Sequence, residues 1–429
     1  MFYMINELIQ KIDSLVWGPQ FILLFVILGI YLTVKLKLPQ VKSLKHVTKI
    51  KHNNSGKISS YKALMTILAG TLGIGNITGV ATAIAIGGIG SIFWILVSGI
   101  LAMAISYAEN FLVFKYRKKD KHDGFFGGAM YVLDEVMDKK KVALLFAIFT
   151  LVATIGMGAM VQPNSLASLL YEELNFSKAF VGLVIAAIST YIIFGGKYKM
   201  AKVNSYVIPF CTLTYIILCV LIILNNLTKV PLAIESIIKA AFGIKPAIGG
   251  IIGASVIKCI SIGFSRGMFS NEAGMGSAPM FAATTEDMEN IKETAYIMSF
   301  SVFIDTIILC VLTGVTIIVA GTYNVPNITI MLERTFSTLP FGLILLIFCM
   351  SIFAISTIPC WEFYGEQAIK YIFKKRYFTY LYKILFVVCI YYGCILSLNM
   401  VWNISNIANA LMALPNIYMI FALRKELVR

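Results

Sequence analysis

Two stretches of this chain set glycines and an asparagine inside otherwise apolar runs. One reads Gly70-Thr-Leu-Gly73-Ile-Gly75-Asn76-Ile-Thr-Gly79. The other reads Gly263-Phe-Ser-Arg-Gly267-Met-Phe-Ser270-Asn271-Glu272-Ala-Gly274-Met-Gly276. Each Gly costs about 1 kcal/mol relative to Ala in a helix interior, so a helix through either stretch is expected to unwind. Unwound backbone bares amides and carbonyls, the groups that hold ions and small polar solutes. At membrane depth it is tolerated only where it is buried in protein or lines a cavity. A lone small-xxx-small pair such as Gly75 and Gly79 reads equally as a helix-packing device. Two clusters that each add an Asn favour a binding site.

The spacing around the clusters suggests a duplication. Asn76 is followed 33 residues on by Glu109, and Asn271 is followed 34 residues on by Asp305. Gln162 lies 86 positions after Asn76, and Ser356 lies 85 after Asn271. Glu109, Arg266, Glu272 and Asp305 all fall within or at the ends of apolar runs, where ionisable groups are expensive and usually functional or paired. Arg266 with Glu272 or Asp305 reads as a gate or as a static pair, and both readings stand. His46, His52 and His122 lie in loops, which counts against a histidine relay, a nucleophile–His arrangement or a His-ligated metal. The eight Cys fall in apolar stretches without a CxxC pair and read as small core residues. No GxxxxGK[ST] motif is present for ATP-driven work.

The elements that position these residues are membrane helices. The 429 residues are 59% hydrophobic and 13% charged, with a mean hydropathy of +0.84. Soluble domains carry about 25% charged residues, so lipid must be the solvent for most of this surface. Apolar runs lie at 17–34, 63–86, 90–114, 142–165, 179–195, 204–224, 247–278, 295–320, 339–371, 379–398 and 401–422. Each is near the roughly 20 residues a bilayer needs, which makes about eleven spans. Positive charge follows the first run (Lys35 to Lys57) rather than preceding it, so that run reads as a retained helix and not a signal peptide. The net charge of +15 sits in loops, the signature of orientation and not of nucleic acid. Alternate loops carry Lys115 to Lys121 with Lys139–Lys141, then Lys197/Lys199/Lys202, then Lys370/Lys374/Lys375/Arg376, then Arg424/Lys425/Arg429. This places the N-terminus outside and the C-terminus in the cytoplasm. After one extra helix (17–34), a five-helix block (63–224) precedes a second (247–422) that enters from the opposite side. Broken helices at matching positions of two inverted halves point to a carrier's binding site.

These residues resemble the alanine or glycine:cation symporter family of bacterial and archaeal amino acid carriers. The resemblance runs through most of the chain. It is strongest at Gly73-Ile-Gly-Asn-Ile-Thr-Gly-Val-Ala-Thr-Ala-Ile, Val161-Gln-Pro-Asn-Ser, Phe269-Ser-Asn-Glu-Ala-Gly-Met-Gly-Ser-Ala-Pro, Phe303-Ile-Asp-Thr and Ser356-Thr-Ile-Pro-Cys-Trp-Glu-Phe-Tyr-Gly-Glu366. Pro163, Pro359-Cys360 and Glu362 depart from the family pattern. The resemblance implies an all-α polytopic fold with a LeuT-like 5+5 inverted repeat, in a prokaryotic cytoplasmic membrane. It also implies import of a small neutral amino acid by alternating access, with sodium as the coupling ion and no other cofactor. No protein or nucleic-acid partner is demanded beyond substrate, sodium and lipid.

For a zwitterionic substrate, amides at Gly73, Gly75 and Asn76 begin a half-helix whose positive dipole end suits a carboxylate. Ser270 and Asn271 offer oxygens to the ammonium. Gln162 is a donor to the carboxylate or a helix–helix bridge, and Trp361 is a pocket cap or a packing residue. The fold family's sodium position, carried over, falls on the carbonyls of Ala69, Leu72 and Phe353 and the hydroxyls of Ser356 and Thr357. Arg266, Glu272 and Asp305 are the gating or coupling charges. A proton-coupled carrier, with Asp305 as proton carrier, is the alternative within the fold; a channel is the alternative outside it. A channel needs a continuous polar pore, and paired broken helices around a central pocket argue against one. Tags at the two ends test the topology: the N-terminal tag is expected to react only from outside and the C-terminal tag only from inside. Both tags on one side would overturn the eleven-span count.

Overall fold

The computed structural model describes residues 12, 16–50, 57–120, 124–243, 256–396 and 399–428. Within them each apolar run carries helix. α1 (Pro19–Lys35) bends by 67° into α2 (Pro39–His46) and a short 3-10 turn. α3 (Ser60–Thr71) stops, and after a 54° bend the chain continues as a π-helical turn, Gly75–Gly79, and α4 (Val80–Gly87). α5 (Ser91–Tyr116) leads to a two-stranded hairpin, β1 (Lys118–Asp120) with β2 (Gly124–Phe126), and then to α6 (Ala129–Glu135). α7 (Lys140–Ala153) and α8 (Gln162–Leu174) are joined by a π-helical segment, Thr154–Val161. α9 (Lys178–Ile193), α10 (Gly196–Leu224) and the amphipathic α11 (Val230–Ala241) complete the first half.

The second half repeats the pattern of a break followed by long helices. α12 (Val256–Asn271) ends at a break before α13 (Ala278–Ala282); residues 247–255 of this run lie outside the described part. α14 (Ile291–Val302) passes through a π-helical segment, Phe303–Cys310, into α15 (Val311–Ala320). α16 (Ile328–Phe336), α17 (Gly342–Phe373), α18 (Arg376–Ile395) and α19 (Asn399–Ala422) follow. Among the described residues seven helices are long and apolar enough to cross a bilayer alone, up to nine if each bent pair is one span. α9 and the interrupted α12–α13 occupy the two remaining apolar runs. The hairpin, α11 and α16 were not expected from hydropathy, because none of them is a long apolar run.

Local chemistry explains the helix ends. The Ser59 side chain accepts from the Lys62 amide at the start of α3, and Asn290 does the same for α14, the usual N-cap arrangement. Pro163 sits in the first turn of α8, directly after a π segment. Pro359 lies inside α17 without ending it.

The halves approach closely where side chains are absent. A Cβ on Gly263 would lie 2.5 Å from Trp94 Cβ and 2.7 Å from the Ser91 carbonyl oxygen, and one on Gly267 would overlap Ser98 Oγ. These two glycines, one turn apart, let α12 lie against α5. Gly263→Val is therefore expected to destabilise the folded protein by about 1–3 kcal/mol through overpacking, read as a lower melting temperature in detergent. Gly79→Ala is the control, since nothing lies within 4 Å of that Cβ position. Equal melting of the two variants would contradict the close α5–α12 contact.

Candidate functional site

Where α3 stops, the Gly73 amide donates to Asn76 Oδ1 at 3.1 Å, so the asparagine caps its own break. Its other end reaches across to the second half. Asn76 Nδ2 donates to Asp305 Oδ1 at 2.5 Å and to Ser270 Oγ at 2.8 Å. Ser270 Oγ donates onward to Asp305 Oδ2 at 2.7 Å, and Thr306 Oγ1 donates to the same oxygen at 2.7 Å. Asp305 is fully buried in a π-helical segment, a local geometry frequent at functional sites. Another amide of the break, Ile74 N–H, donates to Gln162 Oε1 at 3.3 Å. A Cβ on Gly73 would lie 2.9 Å from Gln162 Nε2, so glycine is what lets the glutamine approach.

The second break is held from the first half. Glu109 is fully buried on α5, and its Oε2 accepts from the Gly274 amide (3.1 Å), the Gly276 amide (3.2 Å) and Asn416 Nδ2 (2.8 Å). Asn416 also donates to the Gly274 carbonyl at 2.9 Å. The tight path needs left-handed backbone at Glu272 (φ 53°), Gly274 (φ 84°) and Gly276 (φ 78°). For Glu272 this costs about 1–2 kcal/mol relative to right-handed backbone, the kind of strain retained at functional sites. Its carboxylate accepts from Ser277 Oγ at 2.6 Å.

Between the two breaks lies a cavity of about 10 Å³ lined by Gly73, Gly75, Asn76, Gln162, Ser270 and Trp361 together with Gly70, Thr71, Met157, Phe269, Glu272 and Asn409. That is room for at most one water, which needs about 10–15 Å³ on this measure. Larger spaces flank it. One, of about 580 Å³, gathers Lys118, Lys197, Lys370 and Lys374 from three basic loops. In it Glu366 pairs with Lys370 and with Lys383, each at 2.8 Å. The other, of about 300 Å³, lies towards the far end of α7–α8 and is lined by Thr78, Thr82, Glu172, Glu173 and Glu333 among others. The central cavity shares no lining residue with either.

A second cluster lies where α3 meets α17. Thr357 Oγ1 is 2.8 Å from the Ala69 carbonyl, 3.1 Å from that of Leu72 and 2.7 Å from that of Phe353. The last carbonyls of a helix have no partner within it and carry the negative end of its dipole. Ala69 and Leu72 stand at such an end, whereas Phe353 lies inside α17. One hydroxyl proton serves one of the three oxygens at a time, so this all-oxygen set, offering carbonyls and a hydroxyl, fits a small hard cation.

Several expected roles change. Asn271 does not line the cavity: its Nδ2 donates to the Gly267 carbonyl (2.7 Å) and Thr306 Oγ1 (3.2 Å), and its Oδ1 accepts from the Ala273 amide. It closes the end of its own helix. Gln162, expected to donate to a carboxylate, accepts from the Ile74 amide through Oε1, and the Gly73 amide, expected to face that carboxylate, donates to Asn76 Oδ1. Ser356 Oγ donates to the Phe353 carbonyl at 3.0 Å and joins the oxygen cluster only through that carbonyl. Arg266 is half-buried on α12, and no described ion pair or hydrogen bond joins it to Glu272 or Asp305, which are engaged by Ser277, Asn76, Ser270 and Thr306. Trp361 lines the cavity wall, its Cβ against Gly158. Thr71, Met157, Phe269 and Asn409 were missed; Met157 lies in a π-helical segment, which hydropathy does not reveal.

Glu109→Leu removes the acceptor for two backbone amides and Asn416, each about 1–3 kcal/mol to leave buried and unpaired. It is expected to melt well below Glu109→Gln, which keeps one oxygen. Equal melting temperatures would mean the second break is held by other groups.

Comparison with known proteins agrees with this architecture. The model of the sodium:alanine symporter family matches residues 2–429. The sodium/alanine symporter AgcS of Methanococcus maripaludis is 34% identical over 427 residues, covering 96% of this chain and 93% of that protein. The probable sodium/glutamine symporter GlnT of Bacillus subtilis is 31% identical over 435 residues, covering 98% and 89%. Among solved structures, MhsT in complex with L-phenylalanine superposes with a TM-score of 0.62 at 11% identity, covering 86% of this chain and 89% of that one. A sodium-coupled sialic acid symporter gives 0.57 at 13%, covering 97% and 82%. These neighbours share the LeuT-like fold and are, like the family, transporters and not enzymes. With its whole length matched, its helices broken in both halves and its relatives alike from end to end, the chain belongs to the sodium:alanine symporter family of multi-pass membrane transporters.

Proposed function

We propose that this protein imports a small neutral amino acid, alanine or glycine, together with sodium across a prokaryotic cytoplasmic membrane by alternating access. The two five-helix blocks, 63–224 and 247–422, form the inverted halves, with the N-terminus outside and the C-terminus inside. The observation that carries the reading is the oxygen cluster of Thr357 with the carbonyls of Ala69, Leu72 and Phe353, beside a small cavity whose walls come from both broken helices. A bound substrate carboxylate takes the Ile74 amide from Gln162. Sodium enters where α3 ends, so the ion and the substrate act on the same break from its two sides. The glycine-lined wall at Gly73 and Gly75 leaves little volume and favours small side chains. The printed names of relatives, alanine for one and glutamine for another, support an amino acid as the substrate class.

Asp305 supports a second reading, proton coupling. It is a fully buried acid that receives three side-chain donors directly behind the cavity.

Uptake into proteoliposomes separates the two. Thr357→Val with Ser356→Ala keeps the volume and removes two hydroxyls. A hydrogen-bonding group facing a charge contributes about 1.5–3 kcal/mol, so sodium affinity is expected to fall about tenfold or more. Coupling is reciprocal, so alanine binding should weaken at low sodium and recover as sodium rises. Unchanged sodium dependence with uptake abolished by Asp305→Asn would favour the proton.

A further inference from the structure

Asn409 lies on α19, is 2% exposed and borders the central cavity. Its Oδ1 is buried without a hydrogen-bond partner. Buried polar atoms almost always have partners, and of the described buried side-chain atoms without one, Asn409 Oδ1 is the one whose residue lines the cavity, which marks that residue as the place where a donor arrives. Seven residues further along the same helix face, Asn416 holds Glu109 and the Gly274 carbonyl at the second break. One helix therefore touches both the cavity and the clamp on a broken helix.

We propose that Asn409 Oδ1 accepts a hydrogen bond from the α-ammonium group of the substrate, making it a specificity-determining residue on α19. This rests on the amino acid reading given above. A zwitterion carries its strong donors only on the ammonium. Elsewhere on the cavity wall stands Gln162, which holds the Ile74 amide, a donor suited to the carboxylate. A small amino acid thus spans from the first break to α19, with Met157, Phe269 and Trp361 as the wall for its side chain. Occupancy of the cavity then pulls on the helix that secures the second break.

Titration of glycine, alanine, serine and glutamine into the purified full-length protein, in saturating sodium, tests this. Asn409→Leu keeps the volume and loses the acceptor; alanine affinity is expected to fall about tenfold or more. Its melting temperature without substrate should equal or exceed that of the parent, because replacing an unpaired buried polar group by an apolar one of like shape is neutral or stabilising. A purely structural Asn409 would lower it. Asn409→Ser keeps a hydroxyl acceptor in a larger space: it should lose less alanine affinity than the leucine variant and shift the preference towards serine or glutamine. If Asn409→Leu does not fold, the serine variant decides, and an unshifted preference there overturns the proposal. Alanine affinity within about twofold of the parent in a folded Asn409→Leu also overturns it, while the amino acid reading survives. Failure of the parent protein to bind any of the four overturns that reading instead.

Discussion

Backbone that leaves a helix inside a bilayer finds no water, so every bared N–H and C=O must be met by protein. Here that constraint is satisfied crosswise. The break after α3 is held through Asn76 by Asp305 of the second half, and the break after α12 is held directly by Glu109 of the first. Each half therefore supplies the buried carboxylate that makes the other half's unwound segment tolerable. Neither break is stable without the opposite half in place, which explains why the α5–α12 contact must be so close. Gly263 and Gly267 carry no side chain because Trp94, Ser91 and Ser98 occupy that space.

The same arrangement separates what is held from what is free to move. Asp305 and Glu109 each collect several short hydrogen bonds, while the Ile74 amide has a single longer one to Gln162. Gln162 follows the π-helical segment Thr154–Val161, whose wider turn leaves the backbone less regular than an α-helix. Withdrawal of one side chain there opens an amide and the space in front of Gly73 without disturbing either carboxylate knot. The flanking spaces differ in lining: one mixes five lysines with Asp120, Asp134, Glu135 and Glu366, and in the other the charged residues are Glu172, Glu173 and Glu333. In the first, Glu366 between Lys370 and Lys383 keeps a buried carboxylate satisfied near the end of α17.

The oxygen cluster at Thr357 follows from the first break. Because Gly73 turns its amide to Asn76, the Ala69 carbonyl that it would have satisfied in a continuous helix is left facing α17. The capping asparagine therefore acts on α3's end: it takes the Gly73 amide on one side and leaves carbonyls towards Thr357 on the other. A cation on one side and a carboxylate on the other would each meet the end of the helix dipole that suits it.

Composition and periodicity alone determined that the chain is a helical membrane protein with two glycine-broken spans. Apolar length and the helix cost of glycine are local properties, legible residue by residue. The Asn–acid spacings also suggested a duplication with Glu109 and Asp305 at matching positions. What spacing could not show is that the partners cross: Asp305 serves Asn76 and not Asn271, and Asn271 turns back on its own helix. Nor did it show that Gln162 plugs the first break, or that Asn409 on the last helix reaches the cavity. Those facts depend on the rotation and crossing of helices distant in sequence. They are set by which small residues allow close approach and by the need of the unwound backbone for hydrogen-bond partners, which Asp305, through Asn76, and Glu109 supply from the opposite half.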